Sequence, residues 1–185
     1  MTEGKDEPGK ISSSRVYHGR IISVDLDKVR FPDGSVGELE MVRHPGASAV
    51  VPVLSDSVDP EVLLIRQYRY AANGFVYEIP AGRLDAGESP EECAKRELRE
   101  ETGYSAGNVR RLTTIYTTPG FTDERIHLFV ATGLQQGESS TEHDEFLELC
   151  PMKMSKAVSM ARSGEIVDAK TAIALLLAYA ELTSQ

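Results

Sequence analysis

Three glutamates, Glu97, Glu100 and Glu101, crowd together inside the run Gly82 to Tyr104, GRLDAGESPEECAKRELREETGY, which holds six glutamates in all. The run reads as a loop followed by a helix. Ser89 can cap, Pro90 can take the first helical position, and Glu92 can complete a capping box. Gly103 is placed to end the helix in the left-handed conformation. At about 100° per residue, Glu97 and Glu101 project from the side that carries Cys93, Ala94 and Leu98, with Glu100 on its edge. Glu92, Lys95 and Arg99 occupy the opposite side. Two acids therefore point where the small and apolar residues point. A like-charged pair four residues apart costs about 0.2–0.5 kcal/mol on an exposed helix, and more in a cleft where water screens it less. A solvated helix laced with salt bridges, such as Arg96 with Glu100, accounts for the polar side but not for the inward acids. Hard divalent cations with oxygen ligands would turn that repulsion into binding. Ions held in this way suit chemistry on phosphates.

The remaining elements must position that helix. Residues 1–13 are polar, with Gly and Pro, and read as a disordered tail. Residues 14–44 turn to short β runs broken by Pro32-Asp33-Gly34, a hairpin signal. Residues 47–54 and 62–68 read as buried strands, and 76–79 as a short strand entering the acidic run. Strands are expected over 108–116, 125–132 and 146–150, and a helix over 154–163 that stops at Gly164. A last helix capped by Asp168 would pack Ile173, Leu176, Leu177 and Ala180 inward. Strands on both sides of a central helix, closed by two more helices, predict an α/β fold with a mixed sheet between helices and a small N-terminal antiparallel β subdomain.

Composition narrows the class. A chain of 185 residues makes one domain with at most a small addition. The net charge of −9 opposes a nucleic-acid surface, which needs a basic stripe. It does not oppose a phosphate substrate, because bound metals supply the local positive charge. Cys93 and Cys150 lack metal-ligand spacing and read as reduced core thiols, as in a cytoplasmic protein. No apolar leader is visible, and the longest apolar stretch, AIALLLAYA, is too short to span a bilayer.

The pattern formed by Gly82, Glu88, Arg96-Glu97-Leu98, Glu100-Glu101 and Gly103 resembles the Nudix box, the loop–helix–loop signature of hydrolases that cleave nucleoside diphosphates linked to another moiety. Tyr104 departs softly, standing where a smaller aliphatic residue is usual. The resemblance implies a Nudix-like α/β/α sandwich. It implies that Glu97, Glu100 and Glu101 hold two or three Mg²⁺ or Mn²⁺ ions with the Ala81 carbonyl, that Arg96 orients the acids, and that Glu88 supports them. Pro119, sixteen residues beyond Gly103 in TTPGFTDE, is similar to the proline that marks the ADP-ribose pyrophosphatase branch. The runs RQYR (Arg66 to Arg69), YEIPAG (Tyr77 to Gly82) and GEIVDAKTAIALLLA resemble that branch too.

By this likeness Arg69 and Glu78 contact substrate, with Pro119 and Gly120 in the pocket wall and Glu40 near the base. Without it, Arg69 is a strand-end charge, Glu78 the partner of an arginine, and Pro119-Gly120 a tight turn. Residues 14–44 would mediate a homodimer, and 45–185 would form the hydrolase domain. That branch often stacks the base on an aromatic ring; this chain has no tryptophan, and of the candidate substitutes Tyr17 and Phe31 the sequence assigns neither. The acidic loop QQGESSTEHDE is a surface segment by composition. In the branch it resembles, this loop closes over substrate and carries the general base. Glu142 takes that position, Glu145 is the fallback, Asp144 is a metal contact, and His143 is incidental.

The expected reaction is hydrolysis of a diphosphate bond, with ADP-ribose giving AMP and ribose 5-phosphate. A GDP-sugar or another nucleoside diphosphate sugar is the alternative substrate. A noncatalytic nucleotide sensor is the rival from another class, and the intact box speaks against it.

Overall fold

A computed structural model describes residues 7–137 and 147–183. They form two compact units, one comprising the chain up to Gly46 with Tyr116–Arg125, the other Ala47–Ile115 with the chain from Ile126 onward. Tyr116–Arg125 thus group with the N-terminal sheet rather than with the segment that precedes them in sequence.

The first unit is an antiparallel meander of β1 (Gly9–His18), β2 (Ser23–Arg30) and β3 (Val36–Arg43). Composition placed residues 9–13 in a tail, yet they pair along β2, from Gly9 opposite Arg30 to Ser13 opposite Asp27. Backbone pairing outweighs their polar character. The Pro32-Asp33-Gly34 turn forms as expected, with Gly34 at φ 87° and its N–H donating to the Phe31 carbonyl at 2.9 Å. The side chains of β2 are inverted relative to a usual core, since Ser23, Asp25 and Asp27 are the buried set. Arg43 makes this tolerable: its Nε donates to Asp25 at 3.1 Å, its Nη2 pairs with Asp27, and its Nη1 reaches Asp123 at 3.1 Å. Buried charge is stable only when paired in this way.

The second unit holds two sheets. One has the order β10 (Leu147–Lys153), β5 (Glu61–Arg69), β6 (Gly74–Glu78) and is antiparallel throughout. The other runs β7 (Ala81–Arg83), β4 (Ala47–Pro52), β9 (Arg125–Gln136), β8 (Tyr104–Tyr116), with β4 parallel to β9 and antiparallel to β7. Alternation along β4 and β9 divides the core in two. Val50, Phe129 and Ala131 pack with Ala94 and Leu98 of α1 (Pro90–Thr102). Ala49, Val51, Leu128 and Val130 pack with α2 (Met154–Ser163) and α3 (Ala169–Thr183). The result is the α/β/α sandwich with a mixed sheet that the sequence implies. Strand β7 was not expected, because three residues are too few to show periodicity.

Helix α3 turns the other way from its expected orientation. Thr171, Ala174, Leu175 and Ala178 are buried, whereas Ile173, Leu176 and Leu177 are 37–38% exposed and Ala180 is also exposed. The helix is apolar on nearly every side, so periodicity could not choose a face. The choice falls to small residues that let the backbone approach the sheet, and to Thr171, whose Oγ1 accepts the Ile79 N–H at 2.9 Å. No helix among the described residues is long and apolar enough to cross a membrane.

Candidate active site

Helix α1 begins and ends where its local chemistry dictates. The Ser89 Oγ accepts the Glu92 N–H at 3.3 Å, the Glu92 carboxylate accepts the Ser89 N–H at 2.9 Å, and Gly103 closes the helix at φ 76°. Ser48 Oγ on β4 donates to the Pro90 carbonyl at 2.7 Å and fixes the helix start against the sheet. Cys93, Ala94, Glu97, Leu98, Glu101 and Thr102 form the buried side. Glu97 is 9% exposed and Glu101 3%, so two carboxylates do face the interior.

What they face is β7. The Ala81 N–H donates to Glu101 Oε2 at 3.2 Å. Gly82, opposite Ser48 in the ladder, lies against the Glu97 carboxylate so closely that a Cβ at position 82 would collide with it. A side chain at 82 could enter only by moving that carboxylate, so the glycine leaves Glu97 where it stands.

Arg96 binds the acids into one assembly. Its Nε and Nη2 grip Glu88 at 2.8 and 3.0 Å, its Nη1 donates to Glu97 at 2.5 Å and Glu100 at 3.1 Å, and Nη2 also reaches the Arg83 carbonyl at 3.0 Å. One guanidinium thus orients three carboxylates, a use suited to its rigid fork. The pairing holds the Glu88 carboxyl down at about 2, well below its ordinary 4.5, and the same acids raise Arg96. Burial, with Glu88 and Glu97 nearby, pushes the Cys93 thiol up to about 12, so it is an inert thiol rather than a nucleophile.

A depressed carboxylate stabilises the fold fully above its unfolded value and loses that contribution as pH falls through the folded one. The Glu88 contribution is therefore present above pH 4.5 and disappears toward pH 2. Thermal unfolding followed by circular dichroism should show Glu88→Gln less stable than wild type at pH 6, with the gap closing across that acid window. A gap unchanged at pH 2 would contradict the pairing.

The second group of predicted residues lies on β5 and β6. Arg69 grips Glu78 with both edges of a fork, Nε to Oε1 at 2.7 Å and Nη2 to Oε2 at 2.9 Å. Glu78 is only 2% exposed and is thus held structurally, while Arg69 keeps an exposed portion. Burial pushes the Glu78 carboxyl up, but Arg69 and Lys170 more than offset this and hold it below the ordinary range. Arg69 is raised mainly by its hydrogen bond to Glu78, with Glu101 adding to the effect, so the two groups of residues share one electrostatic neighbourhood.

Sequence reasoning missed Lys170, whose Nζ lies 2.5 Å from Glu78 and 3.0 Å from Asp168. A cation in the first turn of a helix opposes the helix dipole, and that conflict was the available signal. Glu40, Pro119 and Gly120 belong to the first unit. Glu40 is an exposed residue of β3 opposite Leu26. Pro119 and Gly120 lie in a tight turn closed by Phe121 and Thr122 N–H groups on the Thr118 carbonyl, at 3.2 and 3.1 Å. That turn is pinned to β3 by Val42 N–H donating to the Phe121 carbonyl at 2.8 Å. Phe31 rests on Gly37, and Tyr17 on Gly19, so each ring has a local structural contact. Glu142, His143, Asp144 and Glu145 lie outside the described residues.

Among the described residues, no three His, Cys, Asp or Glu side chains converge as a ready metal cage. Arg96 draws Glu97 and Glu100 toward itself, and Glu101 is turned to the Ala81 amide. The donor set nevertheless fits a hard divalent ion in kind. It is all oxygen, its two innermost members are buried, and the glycine at 82 keeps the strand edge against them open.

The family described as NUDIX domain matches residues 43–172, which contain this whole assembly. The chain belongs to the NUDIX family. It is a Nudix hydrolase, and Nudix hydrolases generally use divalent metal ions. It is 38% identical to an ADP-ribose pyrophosphatase of Bacillus subtilis (strain 168) over 171 residues, 91% of each chain. It is 36% identical to a GDP-mannose pyrophosphatase of Salmonella arizonae over 183 residues, 94% of this chain and 93% of that one. Its fold is similar to a crystal structure of an ADP compounds hydrolase, with a TM-score of 0.82 at 24% identity, covering 97% and 96% of the two chains. Of the residues that resemble the Nudix box, Gly82 lies against Glu97, and Arg96 holds Glu88, Glu97 and Glu100.

Proposed function

We propose that this Nudix hydrolase cleaves the diphosphate bond of a nucleoside diphosphate sugar by attack of water, with ADP-ribose the leading substrate and AMP and ribose 5-phosphate its products. The observation that carries the reading is the buried pair Glu97 and Glu101 against the Ala81–Gly82 edge, in the same neighbourhood as the partly exposed fork of Arg69. The similarity to an ADP-ribose pyrophosphatase supports the choice of sugar nucleotide. The similarity to a GDP-mannose pyrophosphatase supports the second reading, a GDP-sugar.

Glu97, Glu100 and Glu101, with the Ala81 carbonyl, would hold Mg²⁺ or Mn²⁺, two or three ions per site. Such ions, when bound, polarise diphosphate oxygens and acidify the attacking water. Arg96 keeps the acids oriented, and Arg69 binds the anionic substrate, with Glu78 fixing its plane. Glu142 is assigned the proton from water and Asp144 a metal contact, both by family likeness alone. Glu40, Pro119 and Gly120 are assigned to the base end of the substrate on the same ground. Residues 14–44 are assigned to a homodimer, which the exposed Val16, Tyr17, Val36 and Leu39 of the N-terminal sheet support. A cytoplasmic location is proposed from the two free thiols.

Incubation with a panel of nucleotide sugars, coupled to a phosphomonoesterase that releases phosphate only from cleaved products, tests the function. Mg²⁺-dependent release is expected with ADP-ribose and to a lesser extent with GDP-mannose. Undiminished release after exhaustive chelation would overturn the metal assignment, and no release from any member would overturn the reaction.

A further inference from the structure

We infer that Lys170 is a positioning residue for substrate binding: it fixes Glu78, and through Glu78 the guanidinium of Arg69, in the orientation that receives the anionic substrate. The inference rests on the proposed function and adds a residue to it.

Lys170 is costly where it stands. It occupies the second position of α3, where the dipole disfavours a cation. Its side chain is only 12% exposed, and lysine is rarely buried unless paired. Removing two charges from water costs more than a well-packed apolar residue would. The cap does not need it either. Asp168 Oδ2 already accepts the Thr171 N–H at 3.0 Å and the Thr171 hydroxyl at 2.5 Å.

The geometry gives it a different task. The ammonium bridges Asp168 Oδ1 and Glu78 Oε2, and the same Glu78 oxygen accepts from Arg69 Nη2. Asp168, anchored by Thr171, is the fixed end. Thr171 in turn accepts the N–H of Ile79, the residue after Glu78, so the network closes on itself. Arg69 at the outer end is 43% exposed, whereas the other charges are mostly covered. Without Lys170 the Glu78 carboxylate has one cation instead of two. Glu78 then loses its tie to Asp168, and the fork by which it holds Arg69 is free to shift away from the orientation that meets a ligand.

Lys170→Met keeps the length of the side chain and removes its charge. It is expected to raise KM for the cleaved nucleotide sugar on the order of 10–100-fold, the effect of removing an orienting partner behind a binding group, while kcat stays within about threefold. In an Arg69→Ala background the same change should add nothing, and Lys170→Arg should recover most of the binding. Unfolding temperatures measured alongside separate this from lost stability.

A wild type that turns over the substrate with KM unaltered in Lys170→Met would overturn this inference and leave the function standing. So would an equal KM increase with and without Arg69. One readout does not depend on turnover: the Arg69 Nε–H resonance in NMR should exchange slowly with water in wild type and faster in Lys170→Met. Equal exchange in both would overturn the positioning role whatever the substrate.

Discussion

Glu101→Gln should lower kcat/KM by about 100-fold or more while leaving the unfolding temperature close to wild type. The scale follows from losses of 10–100-fold for groups that only support a metal ligand, with a direct ligand costing at least as much. Glutamine preserves the volume at a position that is 3% exposed, and its carbonyl oxygen can still accept the Ala81 N–H. The hydrogen bond to the strand and the buried volume are therefore retained, and only the negative charge is removed. Steady-state kinetics with Mg²⁺ present, beside a thermal melt, separate charge from structure. Activity within a few-fold of wild type would remove Glu101 from the site.

Gly82→Ala should be nearly as damaging for a different reason. A methyl group at 82 would overlap the Glu97 carboxylate, the far end of a flexible side chain that can swing aside. The cost to stability is then at most that of mild overpacking, about 1–3 kcal/mol. The cost to catalysis is larger, because Glu97 must leave the place where Arg96 holds it, 2.5 Å from Nη1. Displacing a reacting constellation by about 1 Å can cost 10²-fold in rate, and a loss of that order in kcat is expected. Raising Mn²⁺ should recover part of it if the displaced carboxylate is a metal ligand. Full activity in Gly82→Ala would show that Glu97 has room to spare, against the geometry described here.

Helix α1 was legible because its limits are written in local chemistry. Ser89, Pro90, Glu92 and Gly103 act within a few residues of themselves, and the structure reproduces each role. The inward turn of Glu97 and Glu101 was legible for the same reason, since helical spacing alone puts them beside Ala94 and Leu98. What could not be read depends on residues distant in sequence. Lys170 meets Glu78 across 92 positions, and neither carries a local mark of the other. The rotation of α3 is set by Thr171 against Ile79, also 92 residues away, on a helix too uniformly apolar to reveal a face. Asp25 and Asp27 are buried because Arg43 comes to them from the neighbouring strand, an inversion that alternation by itself would assign to solvent. The role of Gly82 lay between these cases. Its place in the motif was visible, but the reason for it required the strand and the carboxylate together.

On the proposed function, the inward acidic ridge on α1 holds divalent ions. Titration of Mn²⁺ followed by electron paramagnetic resonance measures this directly, since only free aqueous Mn²⁺ gives the strong six-line signal. Wild type should deplete that signal saturably, and Glu97→Gln/Glu101→Gln should bind at least about tenfold more weakly. Equal depletion by both proteins would contradict the claim.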